Sequence, residues 1–372
     1  MPDFPFARLQ RFPDVEAENL QAWDATDEQL VERALAFVAE RGIRGDQISV
    51  IGDGYGAITL ALTDAGLTGI RVHQDLATGR RALERNAAEL GLTGHTGHEL
   101  GAELLHGARL VLLQLPKALA ELEEIADAVA RWAAPDVVLI AGGRVKHMTL
   151  TQNEVLAHSF ARVQAERAVR KSRLIVASDR RVVPEEPPFP VTVAHSGFTL
   201  AAHGGAFAAS RIDIGTRVLL DLVDAMPAAA VAIDLGCGTG ALAVAYAQRH
   251  PSAQVIATDR SAAAVASARA TVDANGLADR ITVTHDDAGS ELADASADLV
   301  LLNPPFHLGA GIHTGAATRL FEAAARLLRP GGELWTVYNS SLGYRPQITA
   351  LVGPTEQAHR TPKFTVTRTI RR

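Results

Sequence analysis

Short apolar runs alternate with alanine-rich stretches of helical spacing along the second half of the chain. Val231-Ala232-Ile233-Asp234-Leu235 leads into Gly236-Cys237-Gly238-Thr239-Gly240. A helical pattern follows, then Gln254-Val255-Ile256-Ala257-Thr258-Asp259, a second helical pattern, Ile281-Thr282-Val283, and Ala297-Asp298-Leu299-Val300-Leu301-Leu302. Apolar runs this short, bounded by turn residues, read as strands buried on both faces. Strands alternating with helices predict an α/β fold built on a doubly wound parallel sheet.

The first half follows the same plan. Ile48-Ser49-Val50-Ile51 runs into Gly52-Asp53-Gly54-Tyr55-Gly56, and a shift of 184 residues places those glycines on Gly236, Gly238 and Gly240. That shift also sets Asp75 on Asp259. Slightly larger shifts set Gly91-Leu92 on Gly276-Leu277, Pro116 on Pro304, and Gly142-Gly143 on Gly331-Gly332. Landmarks recurring in order imply an internal duplication of one Rossmann-like fold. Val50 then stands at the place of Asp234, and Gln114-Leu115-Pro116-Lys117 at that of Leu302-Asn303-Pro304-Pro305. The first copy keeps its turn glycines, which a tight turn needs for backbone reasons, and lacks the polar groups of the second. It is expected to be degenerate and to serve recognition or support. Residues 181–198 carry four prolines and an acidic pair, which predicts a linker. The expected domains are 1–180 and 199–372.

Charge and composition narrow the classes of function. With 47% hydrophobic and 21% charged residues the chain is globular, and a net charge of −6 argues against nonspecific coating of nucleic acid. No apolar run is long enough to span a membrane. The start, Met1-Pro2-Asp3-Phe4, lacks the pattern of a signal peptide, so a cytoplasmic location is expected. The single cysteine, Cys237, excludes an internal disulfide and a multi-cysteine metal site. Residues 191–372 hold 15 basic and 15 acidic side chains, so the acidic excess lies in the first half. Within that half, 162–181 has seven basic residues, Arg170, Lys171 and Arg173 among them, against Glu166 and Asp179. Such a stripe suits an RNA contact or a solvated helix face.

The loop Gly236-x-Gly238-x-Gly240 lets backbone approach a ligand closely, and its spacing departs from the GxGxxG of dinucleotide sites. Asp234, just before it, can organise the loop or meet an ammonium group; beside a pyrophosphate it would repel. Asp259 ends the next strand, where its oxygens can accept both hydroxyls of a ribose. Asp287, in Asp286-Asp287-Ala288, can accept from an adenine amine, or the pair can be turn residues. Together these favour S-adenosylmethionine as cofactor. Cys237 reads as packing or a loop spacer.

Asn303-Pro304-Pro305-Phe306 leaves the C-terminal end of a buried strand, where open α/β sheets bind ligands. The prolines remove two N–H donors and fix the backbone. A planar exocyclic amine is a poor nucleophile, because its lone pair is delocalised into the ring. Accepting its two N–H bonds on the Asn303 side chain and the Pro304 carbonyl favours a pyramidal nitrogen that can attack a methyl group. Phe306 can stack on the ring. His307 can touch a base or phosphate, or cap the loop.

These motifs resemble a known family. Asp234-Leu235-Gly236-Cys237-Gly238-Thr239-Gly240, Asn303-Pro304-Pro305-Phe306-His307 and Arg329-Pro330-Gly331-Gly332-Glu333-Leu334 are similar to class I methyltransferases of amino groups. Over nearly the whole chain the sequence resembles the bacterial rRNA guanine-N2 methyltransferases, which pair a degenerate N-terminal copy of the fold with an active C-terminal one. His203, Phe207, Asp213-Ile214-Gly215 and Arg217 resemble that family's segment before the first motif, and Asn339, Leu342, Tyr344 and Lys363-Phe364 also fit. Leu115-Pro116-Lys117, Ile140-Ala141-Gly142 and Lys171-x-Arg173-Leu174-Ile175 resemble the 23S branch more than the 16S branch. The resemblance implies two tandem class I methyltransferase domains and S-adenosylmethionine-dependent methylation of the N2 amine of a guanosine in ribosomal RNA. One departure is that Ala208-Ala209 follows Phe207 where the family has Ser-Arg, with Arg211 two positions on. Other substrates for the same motif are a 16S rRNA guanine, adenine N6 or a protein glutamine amide; a non-catalytic RNA-binding or assembly protein is the reading from another class.

Overall fold

Each apolar run singled out above is a strand of a mainly parallel sheet, and the helical patterns between them are helices. The computed structural model describes residues 4–17, 20–207, 211–305 and 313–372, without the side chains of 313 and 314. The chain divides into two units, Met1–Phe189 and Pro190–Arg372. No helix among the described residues is long and apolar enough to cross a membrane.

In the first unit α1 (Ala25–Arg41) precedes β1 (Ile48–Ile51), α2 (Ala57–Asp64), β2 (Ile70–His73), α3 (Ala77–Leu90) and β3 (His95–Gly97). Then come α4 (Ala102–Leu105), β4 (Leu110–Gln114), α5 (Leu119–Trp132), β5 (Val138–Arg144), α6 (Leu150–Ser159), β6 (Phe160–Ala165) and β7 (Ser172–Arg180). The strand order is β3-β2-β1-β4-β5-β7-β6, parallel through β5 and antiparallel at β7 and β6.

The second unit opens with a hairpin, β8 (Val191–His195) and β9 (Phe198–Ala202), then α7 (Ile214–Leu220), β10 (Val231–Leu235), α8 (Ala241–Arg249), β11 (Gln254–Asp259) and α9 (Ala262–Ala274). β12 (Ile281–His285), β13 (Ala297–Leu302), α10 (His313–Leu327), β14 (Leu328–Asn339), α11 (Arg345–Leu351), β15 (Thr355–Arg360) and β16 (Phe364–Ile370) complete it. Its strand order, β12-β11-β10-β13-β14-β16-β15, repeats that of the first unit position for position. The expected linker is shorter than the sequence suggested. Residues 181–190 carry no helix or strand, whereas 191–198 supplies β8 and the turn to β9. The prolines end at Pro190, and Ser196-Gly197, with Gly197 at φ 94°, closes a hairpin.

The central strands are apolar on both faces because both faces are covered. Leu299 and Leu301 of β13 enter one core with Val255 and Trp335; Val300 and Leu302 enter the other with Phe321 and Leu334. Each is fully buried, which stabilises the fold by about 1.5–3 kcal/mol per side chain. Gly240 caps α8 at φ 78°, and a Cβ there would lie 3.2 Å from Ala268 of α9. Only glycine permits both that backbone and that helix approach.

Strand pairing corrects two equivalences drawn from the sequence. Ile51 pairs with His73 and Leu113, and Leu235 with Thr258 and Leu302. The residue after β2 that matches Asp259 is therefore Gln74, not Asp75, and the match of Asn303 is Gln114, not Leu115. Pro116 falls on Pro305. The shifts are 185 and 189, one residue more than the landmarks implied, because glycines and prolines mark turns and not register.

Candidate active site

The second unit's chain reverses direction of winding at β10, which has β11 on one side and β13 on the other. Such a switch opens a crevice at the C-terminal strand ends. A cavity of about 340 Å³ lies there, lined in part by Gly236, Gly238, Asp259, Asp287, Asn303 and Pro304. That volume suits a small-molecule site. Phe306 and His307 lie outside the described residues, as do Ala208 and Ala209; Arg211 lines the cavity. Arg170, Lys171 and Arg173 belong to the first unit.

The glycine loop forms a cradle. A Cβ built on Gly236 or Gly238 would meet no protein atom within 4 Å, so the space a side chain would take faces the cavity. Asp234 is buried beneath the loop and does not line the cavity; its Oδ2 accepts from the Ala243 amide at 3.0 Å, in the first turn of α8. The bond ties the end of β10 to the start of α8, the two elements the loop joins. Burial pushes the Asp234 carboxyl up to about 7, against the pull of the Ala243 N–H. The Cys237 thiol is also pushed up, by burial and then by the Asp259 and Asp234 charges.

Asp259 ties the loop to the strand end. Its Oδ2 accepts from Gly238 N and its Oδ1 from Ser261 N, each at 2.9 Å. Asp259 also lines the cavity, at the place the sequence gives to a ribose diol. Asp286 is a turn residue in effect, accepting from Ser290 Oγ and the Glu291 amide. Asp287 lines the cavity with its Oδ2 paired to Arg319.

Asn303, first residue beyond β13, is held by the start of α7. Its Nδ2 donates to Asp213 Oδ2 at 3.1 Å and to Thr216 Oγ1 at 2.9 Å. Among the described residues its Oδ1 is buried without a hydrogen-bond partner. A buried lone carbonyl oxygen costs about 1–3 kcal/mol, so its place beside the cavity calls for an explanation. The motif around Asn303 does not itself point to Asp213 or Thr216. The signal was present: an Asp before a helical run is a helix N-cap, and Asp213 accepts from Gly215 N and Thr216 N.

The basic segment 162–181 is a β-hairpin, not a helix face. Arg162 pairs with Asp179, and Arg181 donates to the carbonyls of Ala157 and Phe160. At the tip, Arg170 and Lys171 have φ of 48° and 63° and are bracketed by the Val169–Ser172 bridge. A two-residue hairpin turn with both φ positive is ordinarily Asn-Gly, so two long cations sit in a backbone that disfavours them. Arg170 pairs with Glu28, Lys171 is exposed, and Arg173 is half-buried.

Comparison with known proteins agrees with this architecture. Residues 3–181 match the family described as RLMG N-terminal domain, and residues 197–368 the family described as Methyltransferase small domain. A protein of Ectopseudomonas mendocina named ribosomal RNA large subunit methyltransferase G is 36% identical, over 98% of this chain and 99% of its own length. A Streptomyces coelicolor protein of the same name is 33% identical, over 98% and 97%. Among solved structures, the T. thermophilus 16S rRNA N2 G1207 methyltransferase in complex with AdoMet and guanosine shares the fold, with a TM-score of 0.74 over 94% of this chain and 92% of that one at 20% identity. With two full-length relatives above 30% identity, and with both halves matched by their own domain families, the chain belongs to the ribosomal RNA large subunit methyltransferase G family.

Proposed function

We propose that this protein transfers a methyl group from S-adenosylmethionine to the N2 amine of a guanosine in 23S rRNA, in the cytoplasm. The observation that carries the chemistry is the unpartnered, buried Oδ1 of Asn303 beside a cavity with a glycine cradle. The family name of its relatives supports the large-subunit substrate.

The residues at hand suit the cofactor. The Gly236 and Gly238 backbone leaves room for it, Asp259 offers oxygens to its ribose, and Asp287 offers one to its adenine amine. When bound, S-adenosylmethionine supplies an electrophilic sulfonium methyl. The protein's work is then to position the amine and to stabilise charge on it. Asn303 Oδ1 and the Pro304 carbonyl accept its two N–H bonds and withdraw the lone pair from the ring. The nitrogen turns more acidic as it is alkylated, so no strong base is needed. Phe306 is assigned to stacking on the guanine and His307 to a contact with the base or a phosphate.

The first unit is read as a degenerate copy used to hold RNA. Val50, Gln74 and Gln114 stand where the second unit has Asp234, Asp259 and Asn303. Gln74 Nε2 donates to the Asp53 carbonyl, whereas Asp259 accepts from the equivalent peptide through Gly238 N. The loop peptide is thus turned over. Asp53, with its carboxylate on Gly56 N and Thr59 N, caps α2 in place of the missing Asp234 contact. The RNA-binding surface is assigned to the hairpin tip. Replacing Arg170, Lys171 and Arg173 together by glutamine is expected to weaken RNA binding and reduce the salt slope of log K by roughly two to three, about 0.7–0.9 for each phosphate no longer neutralised. A filter-binding titration across salt concentrations measures this; an unchanged slope would assign the tip to plain solvation.

Deleting the gene tests the whole reading. Nuclease digestion and mass spectrometry of rRNA from the deletion strain should show one N2-methylguanosine missing from 23S rRNA, restored by the intact gene. Loss of a 16S methyl group instead, or of none, would overturn the assignment.

A further inference from the structure

We propose that Asp213 is a positioning residue that both orients and strengthens the Asn303 acceptor; this rests on the amine-accepting reading above. An asparagine amide can sit in two orientations related by a half-turn, and a substrate amine needs its oxygen, not its NH₂, left without a protein partner. Thr216 Oγ1 cannot choose between them, because a hydroxyl donates or accepts. An ionised carboxylate only accepts, so Asp213 Oδ2, 3.1 Å from Nδ2, fixes the NH₂ group inward and leaves Oδ1 without a partner.

The same oxygen has a second duty. Asp213 Oδ2 also accepts from Gly215 N at 2.9 Å and Thr216 N at 3.4 Å, capping α7. One atom therefore locks the helix start to the end of β13, 90 residues away in sequence. Gly215 keeps the space open: a Cβ there would lie 3.0 Å from Asp213 Oδ2 and 3.2 Å from Asn303 Oδ1.

The carboxylate also acts through the amide's electrons. A negative charge at the NH₂ end favours the resonance form with positive nitrogen and negative oxygen, so Oδ1 becomes a stronger acceptor. The substrate nitrogen gains positive charge only as the methyl arrives. A more negative Oδ1 is therefore worth more in the transition state than in the ground state, and the gain falls on kcat and not on binding.

The test uses the full-length protein, S-adenosylmethionine and a 23S rRNA substrate. Asp213→Asn keeps an oxygen for the α7 cap but loses the charge and can pair with either amide orientation. Single-turnover methylation should slow by about 30-fold, with KM for RNA and cofactor Kd within about threefold. A merely structural role would instead raise KM or Kd, or lower the melting temperature, with kcat unchanged; that result overturns the proposal. If the variant does not fold, Asp213→Ser retains a capping hydroxyl without charge and should show the same slowing. Asn303→Ala separates the two ideas. On that background Asp213→Asn should have no further effect on rate, and multiplying losses would show that Asp213 does not act through Asn303. Wild-type turnover by Asn303→Ala alone would instead refute the amine-accepting reading itself.

Discussion

Replacing Asn303 by alanine is expected to lower the methyl-transfer rate about a thousandfold while leaving S-adenosylmethionine affinity within about twofold, the pattern of a group that acts on developing charge. The expectation follows from what the side chain touches. Its NH₂ is spent on Asp213 and Thr216, and its buried oxygen has no partner among the described residues. Removing that oxygen leaves the guanine amine with one acceptor, the Pro304 carbonyl, and lets the lone pair relax into the ring. The cofactor contacts assigned to Gly238, Asp259 and Asp287 are untouched. Calorimetry for cofactor binding and tritium transfer to 23S rRNA together check the result. A variant with near-normal turnover, or one that no longer binds cofactor, would move Asn303 out of the role given to it.

Asp259 carries the second large effect, and it falls on binding. Asp259→Ala should weaken S-adenosylmethionine binding by about 100-fold, the loss of roughly two charge-assisted hydrogen bonds, with turnover at saturating cofactor changed little. Asp259→Asn should be almost as damaging. Both carboxylate oxygens face backbone donors, Gly238 N and Ser261 N. An amide can satisfy only one of them and must turn its own NH₂ toward the other. Wild-type cofactor affinity in either variant would confine Asp259 to shaping the loop.

Much of this was legible in the amino-acid pattern. The strands Ile48–Ile51, Val231–Leu235, Gln254–Asp259 and Ala297–Leu302 have the expected bounds, since an uninterrupted apolar run leaves a chain few alternatives when helices cover both faces. The repeat was legible as well, through turn glycines whose backbone needs outlast divergence. What escaped was register and partnership. Gln74 was overlooked beside Asp75 because nothing in a lone glutamine announces that it replaces a carboxylate; its Oε1 accepts from the Leu76 amide as Asp259 accepts from Ser261. The match of Gln114 to Asn303 was hidden by the neighbouring proline. Asp213 lies 90 positions from the asparagine it holds, a pairing made only when α7 meets the end of β13. The basic segment misled because charge density carries no information on whether its carrier is a helix or a hairpin.

The two glutamines of the first unit bear on whether that unit could take up the second unit's chemistry. Each makes a scaffold bond with a neutral amide: Gln74 holds the turned-over loop peptide, and Gln114 donates to Asp27, which lies at the place of Thr216. Restoring Asn at 114 alone would leave a shorter amide facing a buried carboxylate, and restoring Asp at 74 alone would set it against the Asp53 carbonyl. Reversal therefore needs several concerted changes, each harmful by itself. On the proposed reading of this half as a degenerate copy, those bonds act as an evolutionary ratchet: its surface is free to change, while no single step leads to a competing second catalyst.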